Sequence, residues 1–178
     1  MWRHEVLSMA PEYAKMAGRS GRLSNRVLQA RPMKNLICLI AIVAQGCFSG
    51  AMLLVAAAIV PGWYALASLD YRVSFQALGP YIGQYMIPLM LASILLPAAG
   101  AYVDKPHRRQ WVVAAVLVGI IVPLYGIFSA PVNDLLLGNV PLSDQEIISN
   151  RAKWSFWHGV RTVLGTSAFC VSLKGRVS

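Results

Sequence analysis

Four stretches of the chain are apolar for long enough to cross a bilayer, and polar or basic segments separate them. The first runs from Leu36 to about Val60 and stops at "PGW". It supplies the roughly 20 apolar residues that a membrane helix needs. The second runs from about Tyr81 to Tyr102, the third from Trp111 to about Ser129, and the fourth from Trp154 to Leu173. Pro88 and Pro97 lie in the second and Pro123 in the third. Each lacks a backbone donor, which predicts a kink unless a neighbour satisfies the freed carbonyl. Pro131 predicts the end of the third helix, with Asn133 and Asp134 in the turn after it. Ser143 and Glu146 have the spacing of a capping box, so the last helix is expected to begin near Ser143, outside the hydrocarbon. The expected fold is all-α, a four-transmembrane-helix bundle over residues 35–174.

Composition agrees with this reading. The 178 residues are 57% hydrophobic and 13% charged, where a soluble domain carries about 25% charged residues. The net charge of +9 comes from 16 Lys+Arg against 7 Asp+Glu. These bases do not form a face that would read nucleic acid. They sit at the ends of apolar runs: a basic arm over residues 1–34, Lys105, Arg108 and Arg109 in "DKPHRRQ", and Lys174 and Arg176 at the end. Only Arg72, Arg151 and Lys153 fall in the segments that would lie on the opposite side. Positive charge is retained in the cytoplasm. Both termini are therefore expected there, with a bacterial inner (plasma) membrane as the default location. Trp63, Tyr64, Trp111 and Trp154 are expected near the two interfaces, where aromatic belts form. Residues 1–34 contain the polar, Gly/Ser-rich stretch "RSGRLSNR", whose composition predicts a flexible segment. Two readings of this arm stand: a basic segment lying on anionic lipid, or a natural start at Met33.

Most motifs in the spans are those of packing. Gly46 and Gly50 form a GxxxG that lets a neighbouring helix come close. Cys38, Cys47 and Cys170 lie in apolar runs without metal-ligand spacing, which makes them small apolar packers. No P-loop, GxSxG, HExxH or GxGxxG occurs. His158 is the only histidine of three inside a span, so bis-His haem ligation is not expected, and no cofactor or metal is expected. Four spans without an internal repeat also argue against a transporter.

One stretch differs. In "RAKWSFWHGVRTVLG", Trp154, Trp157, His158 and Arg161 follow i, i+3, i+4, i+7 spacing and share a helix face. A charge as deep as Arg161 costs about 2.5–3.5 kcal/mol at a helix centre, and by default marks a functional site. Other readings stay open: Arg161 snorkelling to the headgroups, His158 as a neutral ring bonded to a backbone carbonyl, and the tryptophans as interface anchors. Asp134 is a candidate to neutralise Arg161, and Asn133 to orient His158. Gln45, Ser49 and Gln84 are further candidates to face the same interior. A cavity of at least about 300 Å³ beside His158 and Arg161 favours a ligand site. A fully paired Arg161 without a void favours a packed seam.

The stretches "GCFSGAMLLVAAAIVPGW", "YGIFSAPVNDLLLG" and "WSFWHGVRTVLGTSAF" together resemble the anthrone oxygenase-like membrane family, over roughly Met33 to Leu173. The resemblance implies a four-helix membrane bundle. For some members it implies oxidation of polyketide anthrones to anthraquinones by O₂, without a metal or flavin. Carried onto this chain, it makes His158 the base, with Arg161 and Asn133 holding the enolate oxygen. Trp154 and Trp157 become the walls on which the rings stack, beside Asp134. The implied partners are the bilayer and an apolar, aromatic or quinone-like small molecule. The other class open to the chain is a non-catalytic membrane structural or interaction protein whose polar residues only pack the bundle.

Overall fold

The computed structural model describes residues 33–177, with side chains to residue 174; the basic arm, up to residue 32, lies outside the described residues. Four long helices account for nearly all of the described chain: α1 (Met33–Tyr64), α2 (Ser68–Val103), α3 (Lys105–Leu137) and α4 (Asp144–Val177). The connections are short, which forces neighbours to run antiparallel. Cross-helix bonds confirm an up-down-up-down order, pairing Gln45 with Ser93, Arg72 with Gly138, Asn133 with Trp154 and Met52 with His158.

By length and composition α1, α2 and α3 can each cross a membrane. The outer surface of the described helices carries Leu39, Val43 and Leu54 on α1, Tyr81, Tyr85 and Leu95 on α2, Val116 and Ile127 on α3, and Phe156 and Val163 on α4, all exposed. An apolar exterior on this scale fits lipid as the solvent and does not fit water. Helix α4 is long enough at 34 residues, but its sequence is more polar.

Proline does not end these helices where the sequence pattern expects it to. α1 passes "PGW" and ends at Tyr64, with Ala65 as its cap. α3 passes Pro131, and Ala130–Leu137 is helical, so Asn133 and Asp134 lie on a helix and not in a turn. In both helices a π turn precedes the proline, at Val55–Ile59 before Pro61 and at Tyr125–Ser129 before Pro131. The physical reason is shared: proline cannot donate to the carbonyl four residues back, and its ring collides with it. Widening one turn relieves the collision and lets the helix resume. The segment expected as a loop after Trp63 is also mostly helix. α2 begins at Ser68 and runs through Pro80, Pro88 and Pro97. At Pro97 the freed carbonyl is that of Ser93, and Gln45 Nε2 donates to it at 3.1 Å. Gln45 Oε1 in turn accepts from Ser172 Oγ at 2.8 Å. Gln45 is thus a knot between α1, α2 and α4, and does not line a site.

Three of the tryptophans face inward. Trp63, Trp111 and Trp154 are all buried. Each finds an acceptor for its indole N–H, respectively Ser74 Oγ, Asp104 Oδ2 and Asn133 Oδ1. A buried indole N–H needs such a partner. Trp63, Tyr71, Phe75 and Trp154 form one aromatic cluster with ring centroids 5.3–5.8 Å apart. Arg151 and Arg72 close the helix ends at this side of the bundle. Arg151 Nη1 donates to Trp63 O and Leu66 O beyond the end of α1. Arg72 Nη2 donates to Gly138 O and Val140 O beyond α3. Cations at carbonyl-rich helix ends are favourable. The capping box forms as expected: Glu146 Oε2 accepts from the Ser143 amide at 2.8 Å, and the Glu146 amide donates to Ser143 Oγ at 3.3 Å. Of the GxxxG pair, Gly46 receives the ring of Phe169, while Gly50 has nothing near it.

Candidate functional site

A cavity of about 100 Å³ opens among all four helices. Its walls are mostly apolar, with Met52 from α1, Phe75, Gly83, Met86 and Met90 from α2, and Ile121 from α3. The polar groups that reach it are Tyr125 and Asn133 of α3 and His158 and Arg161 of α4. Ile87 and Leu137 also line it and are 49% and 36% exposed. Gly83 has open space where a Cβ would stand. The volume is below the roughly 300 Å³ of a drug-sized pocket. It is closer to the roughly 150 Å³ that admits a single small ring.

α4 brings Trp154, His158 and Arg161 to this cavity. The spacing i, i+4, i+7 does so because α4 is regular there. Trp157 departs from the expected face. It stacks on Phe128 at 3.9 Å and does not line the cavity, although its carbonyl accepts from Arg161 Nε at 3.2 Å. The rings of Trp154 and His158 lie parallel, with centroids 5.0 Å apart. His158 Nε2 is 3.1 Å from Met52 O. A carbonyl only accepts, so Nε2 carries the proton, and in the neutral ring Nδ1 holds the lone pair.

Arg161 is 7% exposed, and among the described residues no carboxylate pairs with it. Asp134, expected to neutralise it, is exposed and points away from the cavity lining. The reason is the unbroken helix: with no turn at Pro131, Asp134 stands next to Asn133 on a different face. Arg161 instead lies with its guanidinium carbon 5.7 Å from the centre of the Tyr125 ring. Its Nε donates to Trp157 O, and among the described residues nothing bonds its two Nη groups.

Asn133 is fixed by its neighbours. Trp154 Nε1–H can only donate, and it reaches Asn133 Oδ1 at 2.9 Å. The amide is therefore oriented with Nδ2 toward Tyr125 Oη, 3.2 Å away. It is not bonded to His158 as the sequence suggests. Ser49 bonds Thr166 Oγ1 outside the cavity, and Gln84 is exposed. Two site residues are not flagged by the sequence pattern. Met52 acts through its backbone, which no side-chain motif reports. Tyr125 is eight residues from Asn133, a separation that leaves them about 80° apart in a regular α-helix.

A membrane bundle with a mostly apolar cavity that a few polar side chains reach defines the class. The family model described as anthrone oxygenase matches residues 79–171, more than half of the chain. The protein belongs to this anthrone oxygenase-like family. The matched range holds Tyr125, Asn133, Trp154, His158 and Arg161, whereas Phe48 and Met52 precede it. No curated protein and no solved structure matches the chain.

Proposed function

We propose that the protein is a four-span membrane protein that binds an aromatic or quinone-like small molecule in this cavity and oxidises it with O₂. The observation that carries the reading is the convergence of His158 and a carboxylate-free Arg161 on one apolar cavity. In the proposed bundle α4 also spans, both termini are cytoplasmic, and the membrane is the bacterial inner membrane. Support for the fourth span comes from its outward residues. Phe156, Val163, Ser167, Cys170 and Leu173 are exposed and uncharged, and Arg161, the charge between Lys153 and Lys174, is buried. The positive-inside distribution supports the orientation.

In the proposed reaction, His158 Nδ1 removes a proton from a ring CH₂ flanked by aromatic rings and conjugated to a carbonyl. The negative charge moves to the carbonyl oxygen, where the Arg161 guanidinium stabilises it. The carbanion carbon bonds to O₂ by electron transfer, and a proton completes a hydroperoxide. Loss of water leaves a new carbonyl, so that CH₂ and O₂ become C=O and H₂O. Trp154 offers a flat wall. Admitting more than one ring requires Met52, Met86 and Met90 to repack, which unbranched thioethers do readily.

The test is turnover of an anthrone by the purified protein in bilayer discs, read as O₂ consumption and quinone absorbance. His158→Ala is expected to abolish it while the protein elutes unchanged on size exclusion. Full activity in that variant sinks the mechanism. A second reading is a bundle without chemistry. It is favoured by the small volume and by the use of His158 Nε2 on Met52 O. Under that reading, no lipid-soluble molecule co-purifies in mass spectrometry, and no substrate is turned over.

A further inference from the structure

We infer that Tyr125 is a ligand-binding residue, and that with Arg161 it selects ligands whose buried end is a single anionic oxygen, a phenolate or an enolate. This rests on the reading of the cavity as a ligand site and deepens it.

Trp154 Nε1 donates to Asn133 Oδ1. Asn133 Nδ2 consequently donates to Tyr125 Oη. Tyr125 Oη is thereby an acceptor in this chain, and its own proton is left over. Among the described residues no acceptor meets that proton, and Tyr125 lines the cavity. The hydroxyl therefore donates into the cavity. Beside it stands Arg161, over nine-tenths buried, with both Nη groups unbonded by described residues. The Arg161 guanidinium carbon lies 5.7 Å from the centre of the Tyr125 ring, and both residues line the same apolar cavity. Two donors on one apolar cavity offer a site that an oxyanion completes. An ether or hydrocarbon of the same shape leaves both donors unmet. Asn133 is then a positioning residue: both ends of its amide are engaged in aiming the tyrosine.

The probes are 4-nitrophenol and its methyl ether, 4-nitroanisole, small enough for one-ring space. They are titrated against the protein in bilayer discs at a pH where the phenol is half ionised in water. Absorbance of the yellow nitrophenolate reports the ionised form. The wild-type chain is expected to bind the phenol about 10-fold or more tightly than the ether, as a hydrogen bond to a charged group implies, and to shift it toward the yellow form. Tyr125→Phe is expected to lose most of that preference while binding the ether unchanged. Arg161→Gln is expected to lose the colour shift. Gly83→Leu, which fills the cavity where a Cβ meets nothing, is expected to abolish binding of both probes. Equal binding of phenol and ether by the wild type, or an unchanged phenol preference in Tyr125→Phe, overturns the inference and leaves the cavity reading intact. Absence of any binding, or binding that survives Gly83→Leu as partition into the bilayer does, overturns both.

Discussion

The indole N–H of Trp154 ends on the side-chain oxygen of Asn133, 2.9 Å away across the α3–α4 seam. This bond ties the helix that carries His158 and Arg161 to the helix that carries Tyr125. Asn133→Leu removes it and leaves a buried donor without an acceptor. The variant is expected to be about 1–2 kcal/mol less stable, read by reversible denaturation in mixed micelles. Asn133→Asp keeps the acceptor and is expected to preserve the seam better than Leu.

Gly100 and Gly50 are expected to respond oppositely to Ala. A Cβ on Gly100 would stand 3.0 Å from the Trp111 indole, which Asp104 holds by its N–H. Overpacking here is expected to cost about 1–3 kcal/mol, offset only partly by the better helix propensity of Ala. At Gly50 a Cβ meets nothing, so the propensity gain is expected alone. Parallel thermal melts of the two variants check the difference in sign.

The capping box makes the start of α4 sensitive to acid. Hydrogen bonds from the Ser143 hydroxyl and amide hold the Glu146 carboxyl below its ordinary range. A depressed folded-state value means the ion is favoured by folding. Its contribution is complete above the ordinary carboxylate range and is lost as pH falls through the lowered one. Amide protection over residues 144–147, corrected for the intrinsic pH dependence of exchange, is expected to fall on acidification in the wild type. Ser143→Ala is expected to exchange faster at neutral pH and to show a weaker acid response. An equal acid response in both chains defeats this account.

Arg151→Met keeps the aliphatic stem but frees the carbonyls of Trp63 and Leu66. Faster exchange is expected across the α1–α2 connection and not across the α2–α3 connection, because the caps are local. Uniform acceleration would mean that Arg151 acts on the whole bundle.

What the sequence discloses and what it hides divide along physical lines. Local chemistry is legible: Ser143 and Glu146 announce the start of α4, and the depth of Arg161 announces an inward charge. Apolar runs also give the number of helices. Burial of the tryptophans is not legible, because it depends on acceptors such as Asn133 and Asp104 brought from other helices or turns. Helix ends at Pro61 and Pro131 are misjudged because proline's rule concerns an α turn, and the chain answers with a π turn. The pairing of Asp134 with Arg161 fails for the same reason, since it presumes a turn that does not form.

The π turn in α3 also sets the angular count of the site. Eight residues of ideal α-helix turn through about 800°, which leaves Tyr125 and Asn133 about 80° apart. Absorbing one extra residue in the turn at Tyr125–Ser129 cuts that to about seven residues' worth, within about 20° of alignment. Only then do the hydroxyl and the amide meet at 3.2 Å. The same offset in α1 brings Val55 and Trp63, also eight apart, into one core cluster. Rewinding either turn would rotate everything beyond it by about 100°. The prolines thus act as phase settings: they fix which side chains the far ends of α1 and α3 turn inward.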